Sequence, residues 1–206
     1  FGLFALAPLL LALPTDPSWA VSSDPGGHLA LAQGILTGPN GGDLRQVARA
    51  FAQLHRAELG LPITSTLGPA QAFSTRFGGS VHLPQFIDGV EVDGARLVIT
   101  FDLQGRVVRV ASSLRSYAQA HLAWNFTGPQ ALRLGADQIE GAVFRADGAP
   151  HGGYQPKVFL VGDQARAGYL VWVPTWRSSE NWHLAIDATD GAVLWAQDRV
   201  HHGFEA

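Results

Sequence analysis

Between Val90 and Phe101 the side chains nearly alternate: Val90, Val92, Leu97, Ile99 and Phe101 fall on one side. Glu91, Asp93, Arg96, Thr100 and Asp102 fall mainly on the other. Successive side chains leave a strand on opposite faces, so a period of two marks half-buried antiparallel strands. Gly89, Gly94 and Gly105 interrupt the pattern where the chain is expected to turn. Gln104-Gly105 then separates this run from the valine-rich residues 107–110 as a short hairpin connection. Residues 82–112 therefore commit a large part of the chain to antiparallel sheet.

Helical spacing appears twice around it. Asp43 is an expected N-cap, followed by Leu44, Val47, Ala48, Phe51, Leu54, His55 and Glu58 at helical intervals, with Gly60 and Pro62 as the stop. The helix is expected over 43–59, and residues 61–79 read as connecting material. Thr127-Gly128-Pro129 precedes Ala131, Leu132, Leu134, Ala136 and Ile139, again at helical spacing with proline in the first turn. After a Gly- and Pro-bearing loop at 146–156, strand-like runs follow at 157–161, 169–174 and 182–187. The last turns through Ala188-Thr189-Asp190-Gly191 into 192–197. The same plan, helix and then antiparallel strands, thus occurs in 43–115 and in 127–200. A helix covering one face of an antiparallel sheet is an α+β solution.

Composition narrows the function classes. With 47% hydrophobic and 15% charged residues, the chain can build a core and is not a disordered tail. A net charge of -3, with Lys157 the only lysine and the arginines scattered, leaves no electrostatic footprint for DNA, RNA or anionic lipid. There is no cysteine, so stability has to come from packing rather than disulfides. Residues 1–14, FGLFALAPLLLALP, are too short a run to span a bilayer but suit the apolar region of a signal peptide. Ser18 and Ala20 supply a small-x-small cleavage site, so the mature chain is expected to start near Val21, secreted or periplasmic, with no membrane segment. The alternative is a buried N-terminal helix, which Pro8 and Pro14 disfavour. Residues 21–42 read as a leader with an apolar patch at 29–36, and the Asn125-Phe126-Thr127 sequon carries no weight.

The order of residues at Gln85, Gly89, Val90, Val92, Gly94, Asp102, Gly105 and 107–110 resembles the FTP propeptide unit of secreted thermolysin-like and fungalysin-like zinc peptidases. A second match lies at Trp182, Asp187, Ala188 and Gly191, where Trp-His-Leu-Ala-Ile-Asp-Ala-Thr-Asp-Gly-Ala-Val-Leu is similar to the end of the PepSY unit of the same propeptides. The resemblance implies two cystatin-like subdomains: FTP-like over 43–126 and PepSY-like over 127–200, with a linker beginning at 201–206. Three positions depart from the family pattern. Leu83-Pro84 stands where a basic-aromatic pair is usual, Glu91 where proline is common between the valines, and Asp190 precedes the glycine of Thr-Gly.

No catalytic, cofactor or metal constellation is legible. A zinc peptidase domain would carry His-Glu-x-x-His, and none occurs. His55-Arg-Ala-Glu58 comes nearest, but Leu59 stands where an inverted motif needs a second histidine, so His55 is expected to edge a packed helix face. His201-His202 has no partner ligand at suitable spacing and reads as polar linker. Gly78-Gly79-Ser80-Val81-His82 lacks the closing glycine of a nucleophile elbow, and the glycine pairs lack the lysine of a phosphate loop. The aromatics matter more as surface. Trp172, Trp176 and Trp182 are candidate partner contacts, since tryptophan is common at interface hot spots, although most tryptophans are core.

The resemblance implies a propeptide that inhibits a secreted zinc metallopeptidase and assists its folding, with the catalytic domain as partner in cis or in trans. A free-standing secreted or periplasmic protease inhibitor or binding module of the same fold is the alternative.

Overall fold

The computed structural model describes residues 20–25, 27–177 and 180–199; the expected signal peptide, apart from Ala20, and the tail at 201–206 lie outside the described residues. The architecture is α+β, mostly strands with two short helices. It resolves into two compact units. The first takes the described chain up to Leu61 together with Pro69–Pro84 and Arg96–Leu114. The second takes Pro62–Gly68, Gln85–Ala95 and the chain from Arg115 onward.

In the first unit, β1 (Ala20–Ser23) pairs antiparallel with β2 (Leu29–Gln33), and β2 pairs with β7 (Val107–Ser112). β7 in turn pairs with residues 97–101 of β6 (Val90–Phe101). Part of the leader's apolar patch is therefore a sheet strand, burying Leu29 and Ala32. Residues 61–79, read as connecting material, contain two strands: β3 (Ser65–Leu67), which belongs to the second unit, and β4 (Gln71–Thr75) in the first. β4 runs antiparallel to β5 (Gly78–Ile87), and four of its five residues are exposed. A strand held by backbone pairing with so little burial leaves no apolar alternation to read.

β6 also corrects the expectation for Gly94. The chain does not turn there; β6 continues through it, with Gly94 at φ +68. Burial changes phase across this residue, from Val92 to Ala95, Leu97, Ile99 and Phe101. A left-handed residue inside a strand acts as a bulge, and the one-residue slip turns Ala95 rather than Gly94 inward.

The first helix, α1, spans Leu44–Leu54 and lies against β4. Asp43 caps it as expected, its carboxylate accepting the Arg45 N–H at 3.0 Å. The helix stops five residues short of expectation, because His55 is already the C-cap and Gly60 takes φ +63. Its buried stripe is Ala48, Phe51 and Ala52, continued by His55, while Leu54 is exposed. His55 does not edge the packed face. It is buried, with its ring 4.5 Å from that of Phe51 and Nδ1 3.6 Å from a Glu58 carboxylate oxygen.

In the second unit, β9 (Gly153–Val161), β10 (Gln164–Pro174), β11 (Asn181–Asp187) and β12 (Val193–Asp198) form an antiparallel series in chain order. β8 (Gln119–His121) lies parallel to the start of β10, and Val92 of β6 bridges in parallel to Val158 of β9. The second helix, α2 (Gly128–Asp137), lies over β9, β10 and β11. The Gln130 side-chain carbonyl accepts both the N–H and the hydroxyl of Thr127 at 2.8 Å, fixing the helix start. Ala131, Leu132 and Ala136 pack with Val171, Val173, Leu184 and Ile186 as one core, and Ile87, Val92, Ala95, Val158 and Ala165 form another.

Phe51, on the buried stripe of α1, is 6% exposed. Phe51→Ala should cost about 3–5 kcal/mol of unfolding free energy, as large-to-small changes in a core do. Urea denaturation followed by circular dichroism measures it, and an unchanged midpoint would remove Phe51 from the core.

Candidate functional site

β5 and β6 are joined by Asp88 and Gly89, at φ +48 and +79. Two consecutive left-handed residues make the tight turn whose twist suits a hairpin, which is why the Asp-Gly pair stands there. Three residues before the turn, Gln85 is fully buried. Its amide nitrogen, Nε2, donates to Ser65 Oγ at 3.0 Å and to the Arg115 carbonyl at 2.9 Å, while its Oε1 accepts the Arg115 N–H at 2.8 Å. This one side chain thus ties β5 to β3 and to the segment leaving β7. Val92 beside it is core, whereas Val90 is half-buried.

Glu91 meets the chain's single lysine. Lys157 Nζ is 2.7 Å from a Glu91 carboxylate oxygen, with the lysine side chain only 8% exposed. A buried ammonium is costly unless paired, and Glu91 supplies the pair.

Asp102 and Gly105 build the β6–β7 turn in the first unit. The Asp102 carboxylate accepts the N–H groups of Gln104 and Arg106 at 2.9 and 3.0 Å and the Arg106 Nε–H at 2.6 Å. Desolvation pushes its carboxyl up, but these donors, Arg106 foremost, outweigh that and hold it below the usual carboxylate range. Gly105 has φ +69, and a Cβ there would collide with the Asn40 carbonyl oxygen.

The C-terminal motif is structural in the same manner. Asp187 is 1% exposed; its carboxylate accepts the Thr189 N–H at 2.7 Å and an Arg166 guanidinium N–H at 3.1 Å. The buried Ala188 donates its N–H to the Ala167 carbonyl, and its own carbonyl accepts the N–H groups of Asn125 and Phe126, at 2.8–3.0 Å. Gly191, at φ +77, closes the turn by donating to the Asp187 carbonyl at 3.0 Å. Arg166 gave no signal in the sequence, because its partner is brought to it only by the pairing of β10 with β11.

The three candidate contact tryptophans do not form one patch. Val171 and Val173 point into the core beneath α2, so Trp172 between them faces the other side of the sheet, its ring over Gly153. Trp182 packs on the α2 side, and with Trp176 it lines a cleft of about 460 Å³. Ile139, Leu184, Val193 and Ala196 supply apolar walls, and Glu140, Arg177 and Glu180 the charges. Trp176 is 70% exposed yet held in place: its N–H donates to the Gly141 carbonyl at 3.0 Å, and its indole lies where a Cβ on Gly141 would be. The Arg177 guanidinium sits 5.0 Å from its ring centre. Ile139, the last residue of the helical spacing read from the sequence, and Glu140 belong to this site but follow α2, which ends at Asp137, in an irregular stretch.

Among the described residues there is no group of three or more His, Cys, Asp or Glu arranged to hold a metal ion. No described helix is long and apolar enough to cross a membrane.

The family described as the fungalysin/thermolysin propeptide motif matches residues 78–114, the stretch holding β5, β6 and β7. No curated protein matches the chain. Among solved structures, the YpeB C-terminal domain of Bacillus megaterium is 8% identical, covering 87% of this chain and 75% of its own, with a TM-score of 0.36. A Clostridium difficile 630 protein described as a candidate lipoprotein is 9% identical, covering 77% of this chain and 96% of its own, with a TM-score of 0.28. Scores this low leave the fold to rest on the chain's own elements.

Gln85→Leu keeps the volume but orphans the Arg115 N–H and carbonyl and should cost at least about 1–3 kcal/mol in chemical denaturation. A variant as stable as the parent would show the amide is dispensable. Asp102 makes the complementary pH prediction. Its folded carboxyl lies below the unfolded value of about 3.9, so its contribution is present above about pH 4 and lost as pH falls through the folded value. Asp102→Asn should therefore lower the melting temperature near pH 6 while narrowing its gap to the parent below pH 3. A gap independent of pH would exclude this carboxylate as a source of acid sensitivity.

Proposed function

We propose that this chain is the propeptide of a secreted zinc metallopeptidase of the thermolysin or fungalysin type, which it inhibits and helps to fold. The observation that carries the reading is the propeptide motif over 78–114. Its glycine turns, its buried Gln85 and its Asp102 cap each have a structural task in this chain. The reading includes two cystatin-like subdomains, FTP-like over 43–126 and PepSY-like over 127–200, and a signal peptide over 1–20 that directs secretion or periplasmic export. The motif residues Trp182, Asp187, Ala188 and Gly191 belong to the PepSY-like part. The partner is the catalytic domain, contacted through the unit that carries Trp176 and Trp182; Trp172 offers a separate contact on the opposite sheet face.

The physical rationale is effective concentration. An inhibitor tethered to its enzyme meets it at about millimolar local concentration, so modest intrinsic affinity keeps a zymogen closed until the connection is cut. A prefolded surface also supplies contacts that lower the barrier for a slowly folding catalytic domain, and those contacts vanish when the propeptide is degraded.

Residues 21–206 added in trans to the mature cognate peptidase should inhibit casein hydrolysis and be slowly digested, and should raise the yield when the denatured peptidase is refolded. Full activity at saturating propeptide, with refolding unaffected, would favour the free-standing binding module.

A further inference from the structure

α2 lies over β9, β10 and β11 but leaves the corresponding face of β12 open, and the cleft of Trp176 and Trp182 occupies that space. β12 also ends its sheet: among the described residues its only strand partner is β11. Among the described residues, one side of β12 therefore presents unpaired backbone N–H and C=O groups beside an apolar cleft. That combination is what an added strand requires, with main-chain bonds for affinity and a pocket for alternate side chains.

The charges at the rim select the occupant. Arg177 is engaged by Glu180 at 3.2 Å and by the face of Trp176. Glu140 is exposed and, among the described residues, has no ion-pair or hydrogen-bond partner. Among the described residues the one uncompensated rim charge is thus negative, next to an immobilised tryptophan whose face favours cations. We propose that β12 and this cleft bind an extended peptide segment in which apolar side chains alternate with solvent-facing ones and a basic side chain shares the apolar face. Its aliphatic groups fill the space between Ile139, Leu184 and Val193, its cation meets Glu140, and its backbone extends the sheet. That such a segment belongs to the peptidase rests on the propeptide reading; the binding itself does not.

The test uses the full chain and two synthetic peptides, acetyl-Ser-Leu-Ser-Arg-Ser-Leu-amide and its counterpart with glutamate in place of arginine. Alternation carries both leucines and the charged residue to one face. Calorimetric titration at low ionic strength should show the arginine peptide binding about tenfold more tightly than the glutamate peptide, a difference of one charge contact. Glu140→Arg should reverse the preference, and Trp176→Ala should weaken both peptides about tenfold. Both substitutions lie at exposed positions, and unchanged melting curves verify the fold. No binding of either peptide, or a preference indifferent to Glu140→Arg, would overturn the proposal. If peptidase inhibition persists undiminished in variants that have lost peptide binding, the propeptide reading stands and this cleft is not its contact.

Discussion

Gln85 is the interaction on which the surrounding structure turns. A carboxamide with no exposure has lost its water, and it is tolerated only because Ser65 and both backbone groups of Arg115 replace that water. Satisfying one buried amide thereby determines where three separate stretches of chain must meet. Apolar contacts around it, Ile87, Val92 and Ala95 among them, are non-directional and would accept several registers. The hydrogen bonds accept one.

Backbone chemistry then distributes that register. Asp88 and Gly89 close the hairpin, and Gly94 slips the inward phase by a residue without ending the strand. Lys157 and Glu91 hold β9 against β6 where Val92 and Val158 bridge. The ion pair leaves the Lys157 ammonium, which few water molecules reach, with a partner of opposite charge. Asp102 and Asp187 use their carboxylates alike: each caps a turn's N–H groups and pairs with an arginine.

Gln85, Asp102 and Asp187 each have such a structural partner. Turns also hold part of the exposed surface in place. Trp176 illustrates the point: a residue so exposed is ordinarily free to sample rotamers, yet Gly141 fixes its backbone and receives its ring. A side chain already ordered before binding gives up less entropy when a partner arrives.

Local signals in the sequence were enough for the elements whose period or capping is strong. Asp43 and Thr127 began the two helices, the alternation at Val90–Phe101 marked antiparallel sheet, and the runs after Pro156 became β9 to β12. β3 and β4 were missed because their pairing with β5 is a backbone matter that leaves little trace in side chains. His55 is buried where its spacing suggests an edge, since helical spacing locates a face but does not tell how deeply that face is covered. The sequence by itself determined the α+β class, the turns at Gly89 and Gly105 and the motif, because these follow from residue-by-residue backbone preferences and periodicity. Only the tertiary structure decided that Gly94 is a bulge, that Glu91 meets Lys157, and that Trp172 and Trp182 face opposite sides of one sheet. Each of those depends on strand register, which is set by contacts between residues far apart in the chain.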